Sequence, residues 1–315
     1  MFSAEMITPF IESFFSKASV MDSYKERIAA ARKAMAAADY VLIGAGAGLS
    51  AAAGLDYGGM RFKREFSEFV KRYGFTDLYT LSFYDFPTEE ERWAYWAKHI
   101  DFARFAPPAM NLYRDIFRLV DGKEYFVITT NVDGQFRKAG FASDRLFEVQ
   151  GDYAYLQCAC GCHPKRYDDK KLVKQMLGSI NDGRIPSSLV PHCPVCGGSM
   201  DVNLRKDNYF VEDAAWRLQA DRYTQFLKKA YRGRCVLLEL GVGYNTPGII
   251  RFPFEQMASA NSGMTLIRLN RDFPERQMKG KGQFVAMDES MERSIKKLLN
   301  EEYVTRNQHT KKRLL

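Results

Sequence analysis

The sequence predicts an α/β protein: a Rossmann-like, doubly wound parallel sheet with a small inserted zinc-binding module and a helical module. Three observations predict it. Short β-branched and apolar runs each end in a glycine or polar loop. Helix-forming stretches alternate with those runs. One segment, 152–205, loses the rhythm and holds five of the six cysteines.

Taken in order, residues 22–38 are rich in helix formers, with Asp22 placed to cap them. Tyr40-Val41-Leu42-Ile43 is a strand that meets glycines at Gly44, Gly46 and Gly48. Residues 60–120 are helical in texture and unusually aromatic around Trp93, Tyr95, Trp96 and Phe102. Tyr125 to Thr129 is a second strand, ending in Thr130-Asn131-Val132-Asp133-Gly134. A third, Val236 to Leu240, runs into Gly241-Val242-Gly243, and a fourth, Thr265 to Leu269, ends at Asn270. In an open parallel sheet the ligand lies beyond the carboxyl ends of the strands, near the switch in strand order, so four such loops point to one crevice for a dinucleotide. The expected division is a helical segment over 1–38, a nucleotide-binding domain over 39–150 and 206–300 with a helical insertion at about 60–110, a zinc module over 151–205, and a basic tail over 301–315.

Composition narrows the partners. The chain has 315 residues, 46% of them apolar, ample for a core. No stretch approaches the roughly 20 apolar residues that span a bilayer, and residues 1–15 carry neither a basic leader nor a cleavage site, so no membrane partner and no export are expected. The net charge of +8 has two readings: an anion surface, or scattered lysines plus the run Lys311-Lys312-Arg313. No long basic stripe with interleaved aromatics is present, which argues against nucleic acid, while a nucleotide phosphate suits the sign. Clustered rather than dispersed cysteines indicate a reducing, cytoplasmic setting.

The first loop, Gly44 to Ser50, has glycines that let backbone approach a pyrophosphate, but such turns also serve simple helix–strand packing. No ribose-binding acid follows a second strand about twenty residues on, which disfavours a dehydrogenase. Cys193-Pro194-Val195-Cys196-Gly197-Gly198 is a zinc knuckle, and Cys158-Ala159-Cys160-Gly161-Cys162 lies upstream as its partner group. Cys158, Cys162, Cys193 and Cys196 are the expected ligands, with Cys160 a spare or a competitor; His163 and His192 flank the groups. Four thiolates leave no open position, so the zinc should hold a module together rather than catalyse.

At this point the motifs resemble a family. Gly46-Ala47-Gly48-Leu49-Ser50 followed by Ala53-Gly54-Leu55-Asp56-Tyr57 looks like the signature of sirtuins. Asn131 to Gly134, Val149-Gln150-Gly151, Gly241 to Gly243 and Asn270 match later sirtuin motifs in order, over about residues 25–295. Gln150 stands where deacylating sirtuins carry a catalytic histidine, the proline before Asp56 is missing, and Gly58-Gly59 replaces the following arginine. These departures are similar to the macrodomain-linked (class M) sirtuins. That resemblance implies protein mono-ADP-ribosylation from NAD, a lipoyl-carrier protein as target and a macrodomain hydrolase as partner. It also implies that Gly46, Ala47, Gly48, Ser50, Asp56, Tyr57, Gly241, Val242, Gly243 and Asn270 hold NAD, together with Asn131, Asp133 and Gln150, which also act in catalysis.

A general base must change protonation near the working pH, and a glutamine amide does not. Breaking the nicotinamide bond makes a different demand: a gripped leaving group and hydrogen-bonded ribose around a developing cation. Asn131 and Gln150 suit the second task. The alternatives are a deacylase, or an NAD or ADP-ribose sensor in which Gln150 marks a silent site. Asn131 and Asp133 could also cap a helix beginning near Gly134, Asp56 could merely fix a loop, and Tyr57 could be pocket wall or ordinary packing.

Overall fold

A computed structural model describes residues 23–55, 57–276 and 279–299. The first described helix, α1 (Tyr24–Ala37), is capped by Ser23, whose hydroxyl accepts from the Glu26 amide while the Glu26 side chain accepts from the Ser23 amide. This is the reciprocal Ser-x-x-Glu box. Asp22, the cap expected from sequence, lies outside the described residues, as do the segments before it and the basic tail.

β1 (Tyr40–Ala45) leads through α2 (Ala47–Ala52) into a run of helices: α3 (Gly59–Glu65), α4 (Ser67–Tyr73), α5 (Leu78–Leu81), α6 (Glu89–Ile100) and α7 (Asn111–Val120). Between α6 and α7 the chain makes one π-helical stretch, Asp101–Phe105, in which the Ala106 amide donates to the Asp101 carbonyl. β2 (Glu124–Thr129), the short α8 (Gln135–Lys138) and β3 (Leu146–Glu148) follow. The insert holds β4 (Gly151–Cys158), β5 (Arg166–Asp168), α9 (Lys170–Ser179) and β6 (Met200–Leu204). The chain then returns through α10 (Ala214–Ala230), β7 (Cys235–Leu240), α11 (Arg251–Ala260), β8 (Met264–Leu269) and β9 (Gln283–Met287), and residues 291–299 are helical.

Six strands form one parallel sheet in the order β3-β2-β1-β7-β8-β9. With the insert set aside, that is the 3-2-1-4-5-6 order of dinucleotide-binding sheets, and the switch in direction falls between β1 and β7. β3 and β9 were not among the strands expected from sequence; β3 is three residues long and β9 lies at the sheet edge, so neither makes the continuous apolar run that marks a central strand. The insert is a separate antiparallel sheet, β5-β4-β6.

Both faces of the parallel sheet are covered. Ile28 and Met35 of α1 pack with Leu112, Ile116 and Leu119 of α7 against Val41, Ile43, Val127 and Val236. Phe226 of α10 and Phe254 of α11 cover Leu42, Phe126 and Leu237 on the other face. A third cluster joins the helical insertion to the cysteine-bearing insert: Phe62, Phe66, Trp93, Tyr95 and Trp96 pack with Cys158, Val173, Met200 and Val202. The aromatic richness of residues 60–105 therefore builds the core that the two insertions share. Inside the sheet, Glu239 and Arg268 are fully buried and paired at 2.7 Å, and Arg268 also reaches Glu255 at 2.8 Å. Among the described residues no helix is long and apolar enough to cross a membrane.

Candidate active site

The loops that leave β1 and β7 meet at the switch point. The Gly48 amide donates to the Gly241 carbonyl at 3.0 Å, and the Gly241 amide donates to the Leu269 carbonyl at 3.0 Å. A Cβ on Gly46 or Gly48 would stand 2.8 Å from the Gly241 oxygen, and Gly241 itself has φ +62°. These glycines are fixed by loop-on-loop packing as well as by any ligand. Beside them opens a cavity of about 520 Å³. Gly46, Ala47, Gly48, Tyr57 and Asn131 line it, as do Gln150, Gly241, Val242, Gly243 and Asn270. Ser50 and Asp133 are buried behind its wall, and Asp56 lies outside the described residues.

Behind the wall runs a continuous set of hydrogen bonds. Ser50 Oγ donates to Asp133 Oδ2 at 2.5 Å and lies 2.8 Å from the Tyr113 hydroxyl. Asn131 Nδ2 donates to the Gly46 carbonyl at 3.0 Å and to the Tyr113 hydroxyl at 3.2 Å. With both amide protons engaged, Asn131 has Oδ1 as its remaining acceptor. Asp133 Oδ1 accepts from the Gln135 amide, the first of α8, at 2.9 Å while its other oxygen serves the network; the N-cap position itself is Gly134, and no side chain caps it. Burial raises the Asp133 carboxyl, opposed by the Ser50 hydroxyl and the Gln135 amide. Tyr113 sits in the first turn of α7, between Leu112 and Arg114, and belongs to no motif that the sequence marks.

Gln150 lies between β3 and β4, half-buried at the cavity wall, with its carbonyl accepting from the Arg205 amide at 3.0 Å. Gly151 has φ +101°, and a Cβ there would stand 2.1 Å from the Asn203 carbonyl oxygen, which explains the Gln-Gly pair. Asn270 spends its amide on the loops: Nδ2 donates to the Val242 carbonyl at 2.8 Å, and Oδ1 accepts from the Asp272 and Phe273 amides. Its part in the wall is to hold two loops together.

The cavity also takes in residues that the sequence did not single out as ligands. Tyr79, Ser82 and Phe83 come from α5 and its exit, Tyr153 from β4, Arg205 and Lys206 from beyond β6. Tyr153 is three residues from Gln150 in sequence, so proximity to that motif could have found it; Arg205 reaches the site through the bond of its amide to the Gln150 carbonyl. Tyr79 and Phe83 arrive only because the helical insertion folds back over the opening. Beneath Tyr57 and Tyr153 lies His99, stacked on Trp96 at 5.2 Å and meeting both tyrosines edge-on. Burial pushes the His99 imidazole down to about 3, so it is neutral at ordinary pH.

The cysteines converge as a candidate metal centre. The donor atoms of Cys158, Cys160, Cys162 and Cys196 lie within 4.8 Å of one another, as do those of Cys162, His163 and Cys193. The sulfur separations are 3.4 Å for Cys158–Cys160, 3.7 Å for Cys158–Cys196 and 3.6 Å for Cys162–Cys193. Four thiolates at about 2.3 Å from a tetrahedral zinc would be about 3.8 Å apart, a spacing near those of the Cys158, Cys160, Cys162 and Cys196 group, whereas Cys193, one of the four expected ligands, groups with Cys162 and His163. Cys160 and His163, set aside in the sequence reading, both lie inside the donor set. His163 is further held by its Nε2 at 2.8 Å from the Tyr167 hydroxyl. The glycines after Cys196 and the hydrogen bond from the Cys193 amide to the Gly198 carbonyl at 2.7 Å form the knuckle.

Strand order, insert position and cavity define a sirtuin-type fold, and solved structures agree. A Sir2 enzyme bound to a propionylated peptide superposes with a TM-score of 0.54 at 17% identity, covering 88% of this chain and 99% of that one. A Sir2 homologue in complex with NAD gives 0.51 at 15% identity, covering 87% and 94%. No family profile matches the chain. A protein ADP-ribosyltransferase of Staphylococcus aureus is 34% identical over 253 residues, 80% of each chain. A probable bifunctional ADP-ribose hydrolase/ADP-ribosyltransferase of Fusarium oxysporum f. sp. cubense is 35% identical over 254 residues, 76% of this chain but 41% of the fungal protein. The chain belongs to the same family as the staphylococcal protein ADP-ribosyltransferase.

Proposed function

We propose that this protein is an NAD-dependent mono-ADP-ribosyltransferase of sirtuin type, which moves ADP-ribose from NAD to a protein and releases nicotinamide. One observation carries the reading: Asn131 and Gln150 stand together in the wall of a cavity at the switch point, where a deacylating sirtuin would need a histidine base. The family's staphylococcal member, named for this reaction, supports it.

In the proposed reaction the bond between C1′ of the ribose and the nicotinamide nitrogen breaks, and its electron pair leaves with nicotinamide. A nucleophilic side chain of the target protein bonds to C1′ and loses its proton. Asn131 Oδ1 accepts from a ribose hydroxyl, and the Gln150 amide accepts or donates beside it. Both act as fixed dipoles around a carbon that becomes positive, and neither gains or loses a proton. Asp133 acts through Ser50, Tyr113 and the backbone that follows it to keep that part of the wall in place. Gly46 to Gly48 and Gly241 to Gly243 bring backbone close enough for the diphosphate. Cys158, Cys162, Cys193 and Cys196, with Cys160 and His163 at hand, would hold a zinc that ties β4 to the knuckle and takes no part in the transfer.

The target we propose is a lipoyl-carrier protein, on the likeness of Gln150-Gly151 and Gly58-Gly59 to the class M sirtuins. A macrodomain hydrolase that removes the mark is the proposed partner, and the fungal relative's name joins both activities in one protein. Intact mass spectrometry of lipoylated and unlipoylated carriers after incubation with NAD tests this. The mass of one ADP-ribose should appear on the carrier and disappear on adding macrodomain hydrolase. Nicotinamide release without any protein gaining mass, or fast removal of acyl groups from lysine peptides, would overturn the reading.

A further inference from the structure

We propose that Arg104 and Asp152 are positioning residues: their buried ion pair locks the Asn131–Asp133 loop and the Gln150 turn into one rigid wall at the nicotinamide end of the cavity. The inference rests on the reading of that cavity as an NAD site.

Arg104 leaves the chain from the π-helical turn Asp101–Phe105, a local widening of the helix often found at functional sites. Its guanidinium makes two bonds to Asp152, Nε to Oδ1 at 2.6 Å and Nη2 to Oδ2 at 3.1 Å. The side chains are 14% and 3% exposed. The same guanidinium lies flat on Gly134, where an added Cβ would stand 2.4 Å from Cζ. Gly134 directly follows Asp133, and Asp152 follows Gln150 by two residues. One planar group therefore touches both halves of the proposed site from behind.

Other bonds tie the same three segments. The Tyr153 amide donates to the Val132 carbonyl at 3.0 Å, and Asp152 Oδ1 also accepts from the Ala154 amide at 2.9 Å. Lys138 donates to the carbonyls of Arg104 and Pro107, which fixes the π turn to α8. The neighbourhood otherwise holds Glu148 paired with Arg137, and the buried carboxyls of Asp133 and Asp169. Removing the Arg104 charge leaves Asp152 buried among carboxyls without its partner, a strongly destabilising change that removes what holds the Gln150 turn against Gly134. A shift of about 1 Å in a positioning group costs on the order of 100-fold in rate.

The test compares the full-length protein with Asp152→Asn, Arg104→Met and Arg104→Lys. Nicotinamide release from NAD is followed at saturation, and calorimetry measures affinity for ADP-ribose and for a carbocyclic NAD analogue with a stable C–N bond. Asp152→Asn and Arg104→Met should slow release by about 10- to 100-fold and weaken the analogue several-fold, with ADP-ribose affinity within about twofold of wild type. Arg104→Lys keeps the charge but not the two-pronged geometry, so it should fall between. It also decides the matter if the other variants fail to fold. Release within about twofold of wild type in all variants, or equal loss of affinity for both ligands, would overturn the proposal. If the wild type releases no nicotinamide with any carrier, the proposed reaction fails, and the ratio of the two affinities still decides this inference.

Discussion

Gln150 presents an amide, and its neighbours limit what that amide does. Its backbone is pinned to Arg205, and Gly151 beside it fits a space that admits no Cβ. Asn131 is held more firmly, with both amide protons spent on Gly46 and Tyr113. Losing Asn131 should therefore remove a fixed acceptor and also free the Gly46 carbonyl and Tyr113 hydroxyl that it holds, the first a lesser loss because Gly48 stays bonded to Gly241. Asn131→Ala should lower nicotinamide release by about 100-fold while ADP-ribose binds within a few-fold of wild type, as stopped assays and calorimetry would register. Parallel loss of both would mean that Asn131 is chiefly structural. Gly151→Ala is a different kind of change. It combines strained backbone with a 2.1 Å approach to the Asn203 oxygen, and should cost about 1–3 kcal/mol in a denaturant titration.

At the scale of elements, the α6 helix carries its aromatic face under the cavity. His99 is the one group there that changes charge in an accessible range. Its folded value, about 3, lies below the ordinary imidazole value of about 6.5, so the unfolded chain takes up a proton that the native state refuses. The associated stability is present above about pH 6.5 and is lost as pH falls towards the folded value, at about 1.4 kcal/mol per pH unit. Replacing His99 by Phe keeps a ring against Trp96 and leaves the Tyr95 hydroxyl its bond to the Leu78 carbonyl. Denaturation midpoints between pH 7.5 and 5 should therefore fall less steeply in His99→Phe than in wild type. Equal slopes would show that His99 is not buried neutral. The loops after β1 and β7 were legible as glycine motifs, but their contact through Gly48 and Gly241 was not, since it joins residues far apart in sequence.

For the whole molecule, the third hydrophobic cluster has one consequence that a reading by segments misses. The helical insertion and the cysteine-bearing insert share a core through Trp93, Trp96, Cys158 and Val202. Metal removal should therefore disturb residues well outside the module. Incubation with a zinc chelator should lower the melting temperature by several degrees, which corresponds to about 1–3 kcal/mol, and shift tryptophan emission to the red. Emission unchanged after the metal is confirmed lost would show that the donors do not hold this core together. Cys160→Ser separates two ligand sets: bound zinc should stay near wild-type content if Cys158, Cys162, Cys193 and Cys196 are the ligands, and should fall if Cys160 takes the place of Cys193 beside Cys158, Cys162 and Cys196.

The sequence by itself determined the four inner strands of the parallel sheet, β2-β1-β7-β8, because fully buried strands must be continuous apolar runs and their exits must be glycine or polar loops. It also marked the cysteine groups and ten residues of the cavity wall, among them Asn131 and Gln150, because each belongs to a short motif. The tertiary structure decided what distance in the chain conceals. It placed Asp133 behind the wall, spent the Asn270 amide on two loops, brought Tyr79 and Phe83 over the opening, and set the Arg104–Asp152 pair beneath both halves of the site. Those facts depend on which side chains meet across the fold, and local pattern carries no record of such meetings.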